Sequence, residues 1–308
     1  MSKILVTGGA GFIGSHVVDA FINAGHEVVV IDNLATGKRE NVNPKAQFYQ
    51  VDIRDQETVE EVFAVERPEV ISHQAALANV RHSMEQPVTY AEVNILGSII
   101  LLEMARKYEC RRFIYASTGG AVYGEPEFLP VTEDHPINPL DPYGASKHAV
   151  EHYLYLYRHN YGLSYVSLRY PNVYGPRQDP LGEAGVVAIF TGLMLQGKQP
   201  TINGSGEQQR DFVYVGDVAC ANLLALERGE GVYNIGSGVP TDVNTIFAEL
   251  KAATGYSGEA HYGPPKLGEV FRIYLDASKA RRELGWEPTV SLKEGLARTV
   301  EFFRQSAS

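Results

Sequence analysis

The chain is predicted to be an α/β protein with a doubly wound parallel sheet, followed by a smaller α/β part. Three observations carry that expectation: short β-branched runs alternate with helical patterns, a glycine-rich turn follows the first run, and an aspartate closes the second. The runs are KILVTG, HEVVVID, QFYQVD, EVISHQA, RRFIYAS and LSYVSLRY, and the stretches between them suit crossover helices. Between the first two, Ile13, Val17, Ala20, Phe21 and Ala24 recur at helical spacing, and Gly25 stands where that helix should end. Beyond Tyr170 the texture changes to the Pro- and Gly-rich loop PNVYGPRQDPLGEAG, then to shorter elements with helices expected near Thr245 to Ala253 and Leu292 to Phe303. Residues 1–170 are therefore expected to form the larger domain and 171–308 a smaller ligand-binding region. Within 212–238, RDFVYVGDVA and GVYNIG are able to rejoin the larger domain.

With 308 residues, 44% of them hydrophobic, the chain can bury a sizeable core. Its formal net charge of -10 argues against a broad basic footprint for nucleic acid, so a small-molecule partner is expected. The two cysteines, Cys110 and Cys220, lack metal-ligand spacing and read as core residues of a protein in a reducing compartment. No signal-like segment follows MSK and no run of about 20 apolar residues occurs, so the expectation is a cytoplasmic protein without a membrane partner.

The turn TGGAGFIG satisfies two glycine spacings, Gly8, Gly11 and Gly14 or Gly9, Gly11 and Gly14. Either lets the backbone approach a pyrophosphate, whose charge is favoured at the N-terminus of the following helix. A glycine turn alone can simply pack a helix on a sheet. Here it follows a strand, opens a helix and precedes Asp32 at the end of the second strand, which together predict a Rossmann dinucleotide site. Asp32 is placed to accept from an adenosine ribose and to repel a 2′-phosphate, which favours NAD over NADP. Lys38 and Arg39 read as a solvated loop. Asp52 and Ile53, after the third strand, suit the edge and face of an adenine, or an ordinary strand end.

YGASK sets Tyr143 and Lys147 four residues apart, on one helical face. Tyrosine has a reference pKa of about 10, but an adjacent ammonium and a positively charged nicotinamide both favour the phenolate. Oxidation of a secondary alcohol needs such a base.

The ordered set TGGAGFIG, DNLATG, HQAA, VYG, YGASK, RYPNVYGPR, GSGEQQRDFVYVGDVA, YNIGSG and DASKARRELGW resembles the extended short-chain dehydrogenases/reductases, in their nucleotide-sugar epimerase and dehydratase branch. The resemblance spans essentially the whole chain. It implies NAD contacts from Phe12, Ile13, Asn33, Ala75, Asn94 and Lys147, and nucleotide-sugar contacts from Asn172, Arg210 and Arg272. The two arginines suit a diphosphate because guanidinium forks match phosphate oxygens, although a lone arginine more often forms a surface ion pair. The helices carrying Tyr153, Tyr155, Tyr157 and Tyr161 and spanning roughly Val93 to Tyr108 resemble the family's dimer contact, which implies a homodimer.

Dehydrating and decarboxylating relatives place carboxylates in the segment that corresponds to TGGAVYG, and this chain has none between Ser117 and Gly124. The expected reaction is the one that needs only a base and NAD: 4-epimerisation of a UDP-hexose, UDP-glucose or UDP-galactose, through a 4-keto intermediate. A UDP-N-acetylhexosamine or a uronate, the latter served by Arg177, is the alternative substrate, and a non-catalytic NAD sensor is the alternative class. The family's usual catalytic Ser/Thr falls on Gly119, so Thr118 or Ser117 has to supply that hydroxyl, and Thr118 is expected to touch substrate with Tyr143. HAVEH, His148 to His152, matches a zinc-protease pattern, but both histidines point away from the Tyr143 face and no metal is expected. His73 reads as packing beside the cofactor.

Overall fold

The computed structural model describes residues 1–180, 185–265 and 270–307; residues 181–184 of the loop PNVYGPRQDPLGEAG lie outside them. Its strands are β1 (Lys3–Thr7), β2 (Glu27–Asp32), β3 (Gln47–Gln50), β4 (Val70–His73), β5 (Arg112–Thr118), β6 (Ser164–Tyr170), β7 (Asn172–Tyr174), β8 (Thr201–Asn203), β9 (Gln209–Tyr214), β10 (Gly231–Asn234), β11 (Pro240–Asp242) and β12 (His261–Gly263). Seven form one parallel sheet in the order β3-β2-β1-β4-β5-β6-β10. The chain direction of build-up reverses between β1 and β4, and ligands of such sheets bind at that switch point, beyond the strand C-termini. All six anticipated runs are strands of this sheet. GVYNIG joins it as β10 beside β6, whereas RDFVYVGDVA begins in a separate sheet, β11-β9-β7, and continues as a helix on the large one.

The two-residue period of the strands divides their side chains between two apolar layers. Ile4, Val6 and Val30 pack with Val18 and Phe21 of the helix Phe12–Asn23 and Val218 and Ala221 of the helix Val215–Leu224. Leu5, Val29, Ile31, Ile71 and Phe113 face the helices Gln56–Glu66, Gly97–Lys107 and Pro142–Tyr161 through residues such as Phe63, Leu101 and Leu154. The helix Pro142–Tyr161 begins where Asp141 accepts from the Gly144 amide at 2.8 Å with Pro142 in its first turn, and ends at Gly162, whose φ is 74°. Those two ends fix where Tyr143 and Lys147 stand over the sheet.

Two expectations change here. Cys110 is buried, but Cys220 is exposed, because it lies on the face of its helix opposite Ala221 and Val218. The segment Pro87–Lys107 is one helical stretch, π-type at Ala91–Leu96, and by length and composition alone is apolar enough to cross a membrane. Half of it is buried inside this fold, against the sheet and the Pro142–Tyr161 helix.

The smaller part has its own core, in which Tyr174, Phe190, Met194, Ile246, Phe247, Leu250, Leu296 and Val300 meet. The anticipated helices are Val243–Thr254 and Leu292–Ala307. Asp217 fastens the C-terminal segment to the large domain: its carboxylate accepts from the Thr289 amide (3.1 Å), the Thr289 hydroxyl (2.7 Å) and the Val290 amide (3.1 Å), and its carbonyl accepts from the Trp286 indole at 2.8 Å. Asp217→Ala removes the acceptor of the Thr289 and Val290 amides and should destabilise the protein by about 1–2 kcal/mol, seen as a lower urea midpoint.

Candidate active site

The glycine turn is built from close backbone approaches. Gly8 has φ 68°, and a Cβ there would lie 2.7 Å from the Ala75 amide nitrogen. A Cβ on Gly14 would collide with the Gly8 carbonyl oxygen, and one on Gly9 would lie 2.7 Å from a methyl of Val30. Gly8, Gly9 and Gly14 are thus closed to a Cβ in this geometry, while one on Gly11 would lie 3.2 Å from the Gly8 carbonyl oxygen, so both sequence spacings describe the same object. Gly11 caps the helix Phe12–Asn23 without a side-chain cap, which leaves the amides of Phe12, Ile13 and Gly14 available to an anion.

Asp32 ends β2 at 8% exposure and accepts from the amides of Ala10 (3.0 Å) and Leu34 (2.8 Å). Burial raises its carboxyl above the usual range, and those two amides oppose the rise. Asn33 donates to Asp52 at 3.0 Å, while Arg54 forks onto Asp52 (2.9 and 2.8 Å) and, with its hydrogen bonds, holds that carboxyl well below the usual range against a smaller opposing effect of burial. Ile53 is buried against Gly97. Lys38 and Arg39 are exposed on their loop, as expected of them; Lys38 Nζ lies 3.6 Å from Asp179, and the Arg39 guanidinium sits 4.3 Å over the Phe48 ring. Long cationic side chains find partners wherever a loop folds back over the sheet edge.

Ala75 donates its amide to Thr7 Oγ1 at 3.1 Å, and Thr7 Oγ1 also meets His73 Nδ1 at 2.6 Å. His73 is completed by Ser98 at 2.8 Å; burial, then the nearby Lys147 charge, keep its imidazole neutral. Asn94 brackets Leu77 (2.9 and 3.0 Å) and donates to Ser146 at 2.9 Å, and Ser146 donates to the Tyr143 carbonyl at 2.8 Å. Asn94 therefore locks the first turn of the Tyr143 helix to the loop after β4.

Lys147 is 3% exposed, with its ammonium 4.6 Å over the Tyr115 ring. Burial brings its pKa down to about 7, and the charge of Glu151 opposes that fall. Thr118 ends β5, and Gly120 leaves space beside its hydroxyl. A Cβ on Gly119 would run into a terminal methyl of Leu275, which would have to shift to admit it. Ser117 turns toward the helix side, its hydroxyl buried beside Glu151 without closing a hydrogen bond of good geometry. Of the two hydroxyls, Thr118 is the one left for the site.

Asn172 opens β7 opposite Phe212 of β9, and Arg210 stands two residues before that partner. Gln209 of β9 makes an isolated β-bridge to Arg272, which brings the two arginines onto adjoining segments; Arg210 is half-buried and donates to the Gln209 carbonyl at 2.9 Å, while Arg272 is exposed. Arg177 is committed elsewhere, paired with Asp19 at 2.8 Å. His148 and His152 face each other at 3.0 Å, and His148 meets Glu151 at 3.1 Å.

Residues 4–236 match the family described as NAD dependent epimerase/dehydratase. The chain belongs to this family. A Thermotoga maritima UDP-glucose 4-epimerase crystallised with UDP-glucose superposes on it with a TM-score of 0.98 at 53% identity, covering 99% of this chain and 100% of its own. A Thermus thermophilus UDP-glucose 4-epimerase in complex with NAD does so with a TM-score of 0.94 at 50% identity, covering 98% and 99%. A Mycolicibacterium smegmatis UDP-glucose 4-epimerase is 43% identical over 99% of both chains.

For a member of the NAD-dependent epimerase/dehydratase family, the residues present suit the cofactor: a glycine cradle that any Cβ would fill, three open amides at a helix start, and a buried carboxylate at the β2 end. Sequence reasoning missed Thr7, Ser146, Glu151 and Arg169. Arg169 did leave a signal, as a charge inside the apolar run LSYVSLRY. Gly14→Ala should lose about 2–4 kcal/mol of stability and carry less NAD, as read by thermal unfolding and by the NAD released on denaturation.

Proposed function

We propose that this chain is an NAD-dependent UDP-glucose 4-epimerase that interconverts UDP-glucose and UDP-galactose through a 4-keto intermediate. The observation that carries this reading is the Tyr143–Lys147 pair on one helix together with a segment, Ser117 to Gly124, that carries no carboxylate. The relatives named UDP-glucose 4-epimerase support the same reaction.

NAD+, when bound, accepts and returns the hydride of the sugar's C4. The chain's residues handle the proton and the orientation. Tyr143, as phenolate, takes the proton of the 4-hydroxyl, and Thr118 shares it through its own hydroxyl. Lys147, while charged, stabilises that phenolate and orients the nicotinamide ribose. Because the reaction is an internal redox exchange, the same tyrosine returns its proton to the 4-oxygen of either epimer. Asn172, Arg210 and Arg272 hold the nucleotide diphosphate while the 4-keto ring presents its other face. Gly120 leaves that ring room, and neither glycine supplies a competing acid.

The reading extends to a homodimer and to a cytoplasmic role in galactose metabolism. Exposed Leu96, Tyr155, Leu156 and Tyr161 support pairing of the two long helices with those of a second copy, and two unbridged cysteines suit a reducing compartment. Sedimentation should give twice the chain mass, and Leu156→Glu should reduce it to one.

Tyr143→Phe removes the proton acceptor and leaves the glycine cradle untouched. It should lower kcat for UDP-galactose by about 10³-fold while the protein still purifies with NAD. Full turnover in that variant would end the proposal.

A further inference from the structure

Glu151 stands four residues beyond Lys147 on the same helix, hence on the same face one turn along. It is buried, and so is its partner Arg169 on β6. Arg169 forks onto it, Nε to Oε1 at 3.0 Å and Nη2 to Oε2 at 2.6 Å, and the Ser167 hydroxyl donates to Oε1 at 2.9 Å. Arg169 Nη1 donates to the Tyr123 hydroxyl at 2.8 Å, which donates in turn to Asn234 Oδ1 of β10 at 2.7 Å. In the sheet register Arg169 lies opposite Ser117, one residue before Thr118. A buried ion pair contributes little net stability, because desolvation offsets the attraction. This one has its carboxylate one helical turn from the buried Lys147.

We propose that Glu151 is a positioning residue of the 4-epimerase site: its carboxylate is the counter-charge of Lys147 and, through Arg169, holds the Tyr143 helix in register with the strand that ends in Thr118. The inference rests on the 4-epimerase reading above. The groups facing Lys147 are His73 on β4 and Tyr115 on β5, with Tyr143 one turn back on its own helix. Those facing Glu151 are His148, with His152 behind it, Tyr115 on β5, and Tyr165 and Arg169 on β6. Among these described residues Glu151 is the one anion. Burial drives Glu151 toward the neutral acid, but the hydrogen bonds from His148 and Arg169 overcome it and keep the carboxylate ionised. Glu151 then opposes the loss of charge that burial imposes on Lys147.

The test is the pH dependence of kcat for UDP-galactose in the NAD-loaded enzyme. Glu151→Gln/Arg169→Met replaces the pair by neutral groups of similar shape, a change that buried ion pairs often tolerate. Lys147 should then lose its proton at lower pH, and the basic limb should move down by about one pH unit, with KM little changed. Glu151→Asp keeps the charge and should leave the limb near its wild-type position. A limb unmoved in the neutral double variant overturns the proposal. So does failure of both that variant and Glu151→Gln to fold, which would assign the pair to structure alone. Wild-type protein unable to interconvert the two sugars would instead defeat the 4-epimerase reading, a separate result.

Discussion

Keeping an ammonium charged at 3% exposure is the constraint around which this site is arranged. Taken from water, such a group either finds compensation or gives up its proton, and Lys147 is drawn well down from its ordinary range. Its compensation comes from the face of Tyr115 and the carboxylate one turn along the helix, while Asp141 fixes where that helix starts. Asn94 and Ser146 then tie the backbone of Tyr143 to the loop after β4. The start of the Tyr143 helix is positioned by residues whose own partners are mostly backbone groups, so a small displacement of the helix would disturb all of them at once.

The dinucleotide side follows a different principle. It is made of missing side chains, and Gly8, Gly9 and Gly14 each pack so closely that no Cβ fits. Thr7 links this cradle to the catalytic side, holding the amide of Ala75 and the ring of His73 with one hydroxyl. His73 stays neutral because burial and the neighbouring ammonium both oppose a second positive charge. The cradle and the buried lysine are therefore coupled through one short run of side chains across β1 and β4.

On the substrate side, Leu275 occupies the space that a side chain at position 119 would need. The loss of a hydroxyl there is matched by packing from a residue more than 150 positions later in the chain. The smaller part contributes this plug together with the two arginines on adjoining segments. It shapes a floor that is apolar and chemically quiet, as an exchange of one proton with one alcohol requires.

The six strand runs, the glycine turn with Asp32, and the Tyr143–Lys147 spacing were legible because each is a local pattern: a period of two, a steric demand for glycine, a helical repeat of about four. The same locality explains the membrane-length helix that pattern reading passed over, since Glu92 and the charges near Lys107 interrupt its apolar run without ending the helix. What the linear chain could not decide was pairing at a distance. That Arg177 is spent on Asp19, that Ser117 faces Glu151 while Thr118 adjoins the site, and that Leu275 fills the place of a side chain at 119 all depend on which strands lie side by side. Those contacts arise only when the sheet closes, because Coulombic and steric interactions depend on separation in space and not on separation along the backbone.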